Sequence, residues 1–160
     1  MFLPVIGAVV GTSLGIMQWL ALRSGFQVAG WALASAIGVG VGLTLGTTMI
    51  EFLGLTKGNI IDELVGLTVI GTAFGVSLGV MQWLVLRRVG PGTAWWIPAN
   101  AIGMGVGFLV GGLMAAALVG SFRNAGGLIM IVVFSGLAVG ALTGFILPRL
   151  IPPQVQVRET

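Results

Sequence analysis

The sequence predicts an all-α polytopic membrane bundle of five spans, built as two parallel two-helix repeats followed by a half repeat. Three observations predict it. Hydrophobic residues make up 57% of the 160 positions and charged residues only 7%, where a soluble domain carries about 25% charged residues. The apolar residues fall into runs of the roughly 20 residues that a helix needs to cross about 30 Å of hydrocarbon. Finally, the chain repeats itself: GTSLGIMQWLALR at Gly11–Arg23 returns as GVSLGVMQWLVLR at Gly75–Arg87, with ten of thirteen positions identical.

The first span is expected at Phe2–Leu22. It lacks the basic leader and small-residue cleavage site of a signal peptide, so it reads as a retained span. Arg23-Ser24-Gly25 ends it. The second span, Val28–Leu55, closes at Lys57-Gly58-Asn59, and its outer end from Ile50 could bend into the interface. The third, Leu64–Leu86, follows Asp62 and Glu63, which suit the positive end of a helix dipole. A loop containing Arg87, Arg88, Pro91 and the flanking glycines separates it from the fourth, Ala94–Val119. The fifth, Gly126–Leu147, follows Arg123-Asn124 and ends before Pro148-Arg149. The apolar runs are twice the length of a barrel strand and do not alternate, which excludes a membrane β-barrel.

A second repeated block follows the first. Trp31–Gly46 and Trp96–Gly111 share nine of sixteen residues. The single domain of residues 1–160 thus divides into repeat one at about 7–55, repeat two at about 71–119, a half repeat at about 126–148 and a polar tail at 149–160. Each repeat holds two spans, so the copies enter the membrane in the same direction. Many secondary transporters instead use inverted repeats.

Every span carries glycines four apart: Gly7, Gly11 and Gly15; Gly38, Gly42 and Gly46; Gly71, Gly75 and Gly79; Gly103, Gly107 and Gly111; Gly136, Gly140 and Gly144. Residues four apart share a helix face, and a face without side chains admits a neighbouring backbone. Helix packing is therefore expected at Gly11, Gly15, Gly38, Gly42, Gly75, Gly79, Gly103, Gly107, Gly140 and Gly144. The equivalent pairs Gln18/Gln82 and Ser35/Asn100 lie three residues from glycines of these stripes. They are expected to point inward as a polar layer near one membrane face, either as interhelical glue or as a ligand site. Glu51 is expected at the outer interface, or paired with Lys57 or Arg123.

Trp19, Trp31, Trp83, Trp95 and Trp96 flank the first and third loops, where indoles are expected as interface anchors. Those loops and the tail hold Arg23, Arg87, Arg88, Arg149 and Arg158, five of the seven basic residues. The positive-inside rule places that side in the cytoplasm, the C-terminus inside and the N-terminus outside a bacterial inner membrane.

The chain has neither Cys nor His, which removes thiolate chemistry, histidine bases and the commonest metal ligands. No acid–base pair, nucleophile or phosphate loop stands out, so no enzyme is expected. The pI of 11.3 rests on few charges and makes no nucleic-acid surface. The expected partners are the lipid bilayer and other membrane subunits or further copies of the chain. No cofactor is evident, with lipid or pigment as the candidates.

The block MQWLVLRR…GTAWWIPANAIG resembles a family of uncharacterised bacterial multi-span proteins with glycine-rich QWLVLR-type repeats, frequent in photosynthetic lineages. The resemblance covers about residues 7–46 and 71–147. It implies a small helical bundle and carries no activity; the first repeat departs from it, with Gly30-Trp31-Ala32 in place of a double Trp. The function these readings favour is a structural or accessory subunit of a larger membrane complex, a photosynthetic complex among the candidates. A small channel or transporter for an ion or uncharged solute is the alternative.

Overall fold

Local chemistry sets the ends of the helices. The structure, a computed structural model, describes residues 30–55, 59–88, 91–121 and 124–150. Helix α1 (Trp31–Phe52) starts after Gly30, whose φ of 89° lies in the left-handed region that L side chains rarely adopt. Helix α2 (Ile60–Leu86) starts at Asn59, whose side-chain oxygen accepts the N–H groups of Ile61 at 2.9 Å and Asp62 at 3.2 Å. A 3-10 turn, Pro91–Trp95, leads into helix α3 (Trp96–Val119). Pro98 fits there because the first turn of a helix has no acceptor for its backbone N–H groups. Helix α3 stops at Gly120, which has φ 72°. Helix α4 (Ala125–Leu150) follows, with the Asn124 side chain accepting the Gly127 N–H at 2.8 Å.

These four helices are long and apolar enough to cross a membrane, and the described residues contain no strand. They correspond to the second to fifth expected spans. The first expected span, with Gly11, Gly15, Gln18 and Trp19, lies outside the described residues, as does the tail beyond residue 150. Several boundaries differ from expectation, by one to four residues, and three of them are instructive. Helix α1 ends at Phe52, and the chain turns through residues 53–55 instead of staying helical to Leu55. Helix α2 begins four residues before Leu64, because Asn59 caps it there. Helix α4 runs three residues beyond Leu147; Pro148 removes one hydrogen bond, to the Gly144 carbonyl, without ending the helix.

Each helix packs on the next in sequence, and no other pair of the four makes backbone-level contact. Glycines make these contacts close. A methyl carbon placed on Gly38, Gly42 or Gly46 of α1 would lie 2.7, 2.5 and 2.9 Å from the Cα atoms of Leu78, Phe74 and Ile70 of α2. As one strip rises by four residues the other falls by four, so α1 and α2 are antiparallel. Gly71 and Gly79 of α2 meet Met104 and Ile97 of α3 in the same sense, with Gly75 between them against Asn100. Gly103, Gly107 and Gly111 of α3 meet Val139, Ser135 and Ile131 of α4. Helices α1 and α3 therefore run parallel. At its centre the bundle is a cluster of Val39, Phe74, Leu78, Met104 and Val139, one or two residues from each helix.

The outer faces are apolar. On α1, Leu33, Ile37, Val41 and Leu45 stand four apart and exposed, a face suited to hydrocarbon. Polar side chains on the helices hide their hydroxyls. Thr44, Thr48, Thr68 and Ser135 each donate to the carbonyl four residues back, at 2.6–2.9 Å. That back-bonding satisfies a hydroxyl where water is absent.

The glycine expectation fails on α4. A methyl carbon on Gly136, Gly140 or Gly144 would find no atom within 4 Å. Helix α4 buries instead the line Gly127, Ile131, Ser135 and Val139 against α3. Among the described residues, packing roles for Gly140 and Gly144 are therefore corrected. Among the described helices theirs is the last of the array, with a described neighbour on one side only.

Candidate functional site

A polar layer lies where the start of α1, the end of α2 and the start of α3 converge. Ser35, Gln82 and Asn100 are each 0% exposed. The Gln82 amide nitrogen donates to the Ser35 hydroxyl at 3.0 Å, and its oxygen accepts the Trp96 indole N–H at 2.7 Å. Three helices are thus tied through one amide. The register places it: Gly38 faces Leu78, so one turn further Gln82 arrives beside Ser35. The Asn100 amide nitrogen donates to the Trp96 carbonyl at 2.8 Å, while Asn100 Oδ1 has no hydrogen-bond partner.

The tryptophans divide into two kinds. Trp31 and Trp96 are buried at 1% and 4% exposure, with ring centroids 5.9 Å apart and planes at 73°. They are core residues of the layer, so their expected role as interface anchors is corrected. The reason is helical phase: Trp31 and Trp96 precede Ser35 and Asn100 by four residues and share their inward face. This spacing was readable in the sequence and would have placed both indoles inside. Trp95, one residue earlier in the 3-10 turn, is 67% exposed. Trp83 is half-buried at the end of α2, beside exposed Arg87 and Arg88. Trp19 and Gln18 lie outside the described residues.

Glu51 is exposed at the end of α1, and its two expected partners, Lys57 and Arg123, are not among the described residues. Asp62 and Glu63 occupy the first turn of α2.

Chemically the layer can donate, accept and orient hydrogen bonds, and it brings no ionisable side chain. No group of three or more acidic, His or Cys residues capable of holding a metal occurs among the described residues. A separate open groove of about 490 Å³ lies between α1 and α2, lined by residues such as Leu45, Met49, Val69, Ala73 and Val76. Its wall is almost wholly apolar, which fits an acyl chain or a helix better than a polar solute.

No protein-family model matches the chain, and neither a curated protein nor a solved structure shows significant similarity to it. The class the fold and layer define is a helical bundle with the helices of a membrane protein and a buried, uncharged polar centre.

Proposed function

We propose that this chain is a non-catalytic integral membrane protein that serves as a structural or accessory subunit of a larger membrane complex. In this reading it has five spans, the first of them Phe2–Leu22, arranged as two parallel repeats and a half repeat. The basic loops lie in the cytoplasm of a bacterial cell and the N-terminus outside. The observation that carries the proposal is the open face of α4. Gly136, Gly140 and Gly144 form a strip with nothing against it among the described residues, between exposed Leu137 and Phe145. In lipid, close packing of small-residue faces drives helix association, because apolar side chains gain nothing by leaving hydrocarbon. The other described glycine strips are already occupied by a neighbouring helix.

Purification in mild detergent from native expression levels tests this reading. The chain is expected to co-migrate with a partner or a second copy, and Gly140→Leu is expected to release it. A wild-type chain that migrates only as a free monomer sinks the proposal.

The buried amides favour a second reading, a small channel or transporter for an ion or uncharged solute. Liposome flux that is present in wild type and altered by Gln82→Leu supports it; no flux, or flux indifferent to that change, removes it.

A further inference from the structure

We propose that Asn100 and Thr143 form a small binding position between α3 and α4. It takes a neutral group with two hydrogen-bond donors: a water molecule or the primary amide of a small solute. The starting point is Asn100 Oδ1, fully buried and unpartnered. Buried polar atoms are nearly always paired, so a lone one asks for a donor. The amide cannot simply be turned over, because its nitrogen is committed to the Trp96 carbonyl at 2.8 Å; the reverse orientation would set oxygen against oxygen.

The packing of α1 on α2 says where the donor belongs. There Gly38 faces Leu78, and one turn on, Gln82 donates its amide to Ser35. Where α3 meets α4, Gly103 faces Val139. The same step of four residues brings Thr143 to the level of Asn100. The sequences agree with that register: GLAVGALTGFILPR at Gly136–Arg149 aligns with GVSLGVMQWLVLRR at Gly75–Arg88, and Thr143 stands in the place of Gln82. The third copy has exchanged a long amide for a short hydroxyl.

The Thr143 hydroxyl also points its proton elsewhere, to the Val139 carbonyl at 2.7 Å. Its oxygen keeps lone pairs free to accept. Asn100 Oδ1 and Thr143 Oγ1 are then two acceptors facing one position, and a group with two N–H or O–H donors satisfies both. Residues 96–119 and 125–145 carry no charged side chain. An ammonium would sit there without a counter-charge, so the donor is neutral. Water and the –NH₂ of a primary amide share this chemistry.

The test uses the full chain in mild detergent, with thermal unfolding followed by tryptophan fluorescence. Thr143→Gln supplies the missing amide from the chain itself. It is expected to raise the midpoint by about 2–4 °C in the wild-type background and not in an Asn100→Leu background. Thr143→Val removes the second acceptor at constant shape, and is expected to lower the midpoint only when Asn100 is present. Acetamide is the probe for a solute, with acetone at equal concentration as the donorless control. A midpoint raised by acetamide alone, and insensitive to it in Thr143→Gln, assigns the position to a primary amide. No acetamide response, with both Asn100-dependent effects intact, assigns it to water. The proposal is overturned if the Thr143→Gln gain is missing or survives Asn100→Leu. If Thr143→Gln does not fold, equal effects of Thr143→Val in both backgrounds overturn it.

Discussion

Replacing Gly42 with alanine puts a methyl carbon 2.5 Å from Phe74 Cα, 3.2 Å from its carbonyl oxygen and 3.3 Å from its carbonyl carbon. Carbon atoms at their optimal separation lie about 3.5–4.0 Å apart, so α1 and α2 must part by on the order of 1 Å. All three neighbours are backbone, and no rotamer change can relieve them. The cost has two parts: the strain of the new methyl, and the weaker dispersion attraction along the strip from Gly38 to Gly46 as the helices separate. Overpacking of this kind costs about 1–3 kcal/mol. Gly140→Ala is the matched control. Its methyl meets nothing within 4 Å among the described residues, and alanine exceeds glycine in helix propensity by about 0.8–1.0 kcal/mol. The assay is thermal unfolding of the isolated chain in mild detergent, read by circular dichroism. At about 2–4 °C per kcal/mol for chains of this size, Gly42→Ala lowers the midpoint by about 2–12 °C and Gly140→Ala leaves it equal or higher. Equal losses from the two substitutions would refute the reasoning, because both are glycines of one motif and differ only in what stands opposite.

Three further outcomes follow from the same geometry. Gln82→Leu leaves the Trp96 indole N–H without its acceptor and Ser35 without its donor; an unsatisfied buried group costs about 1–3 kcal/mol, so the unfolding midpoint falls and the tryptophan emission shifts. Asn59→Ala removes the cap of α2 and costs about 0.5–2 kcal/mol, seen as faster amide exchange in the first turn around Ile61 and Asp62 with the remainder unchanged. The absence of native cysteine makes single-cysteine labelling clean. In intact cells an impermeant thiol reagent is expected to label Gly58→Cys and to spare Thr160→Cys, and the opposite pattern reverses the proposed orientation.

The helical class, and the positions of the four described helices to within a few residues, were legible in the sequence. Long apolar runs bounded by charge decide them, and the transfer of each side chain from water to hydrocarbon is a local matter. Asn59 shows the limit of that reading: the apolar run begins at Leu64, but the helix begins where a side chain caps it. The inward phase of Ser35, Gln82 and Asn100 followed from their spacing to the glycines, since phase is a property of one helix. The phase of Trp31 and Trp96 was equally available, but the proximity of these residues to basic loops suggested an interface role instead. Thr143 carried no signal by itself; its register relative to Asn100 follows only from Gly103 facing Val139.

The sequence by itself determined that this chain forms apolar helices with a glycine strip on each predicted span. Only the tertiary structure decided which strips are filled. Gly42 and Gly140 belong to the same pattern, yet one lies against a backbone and the other meets none of the described residues, because a strip becomes an interface only when another helix is brought to it. The same holds for the amides. Gln82 reaches Ser35 across 47 residues of sequence, while Asn100 Oδ1 is left without a hydrogen-bond partner. Which polar atom is satisfied depends on antiparallel register between helices, which no single helix encodes.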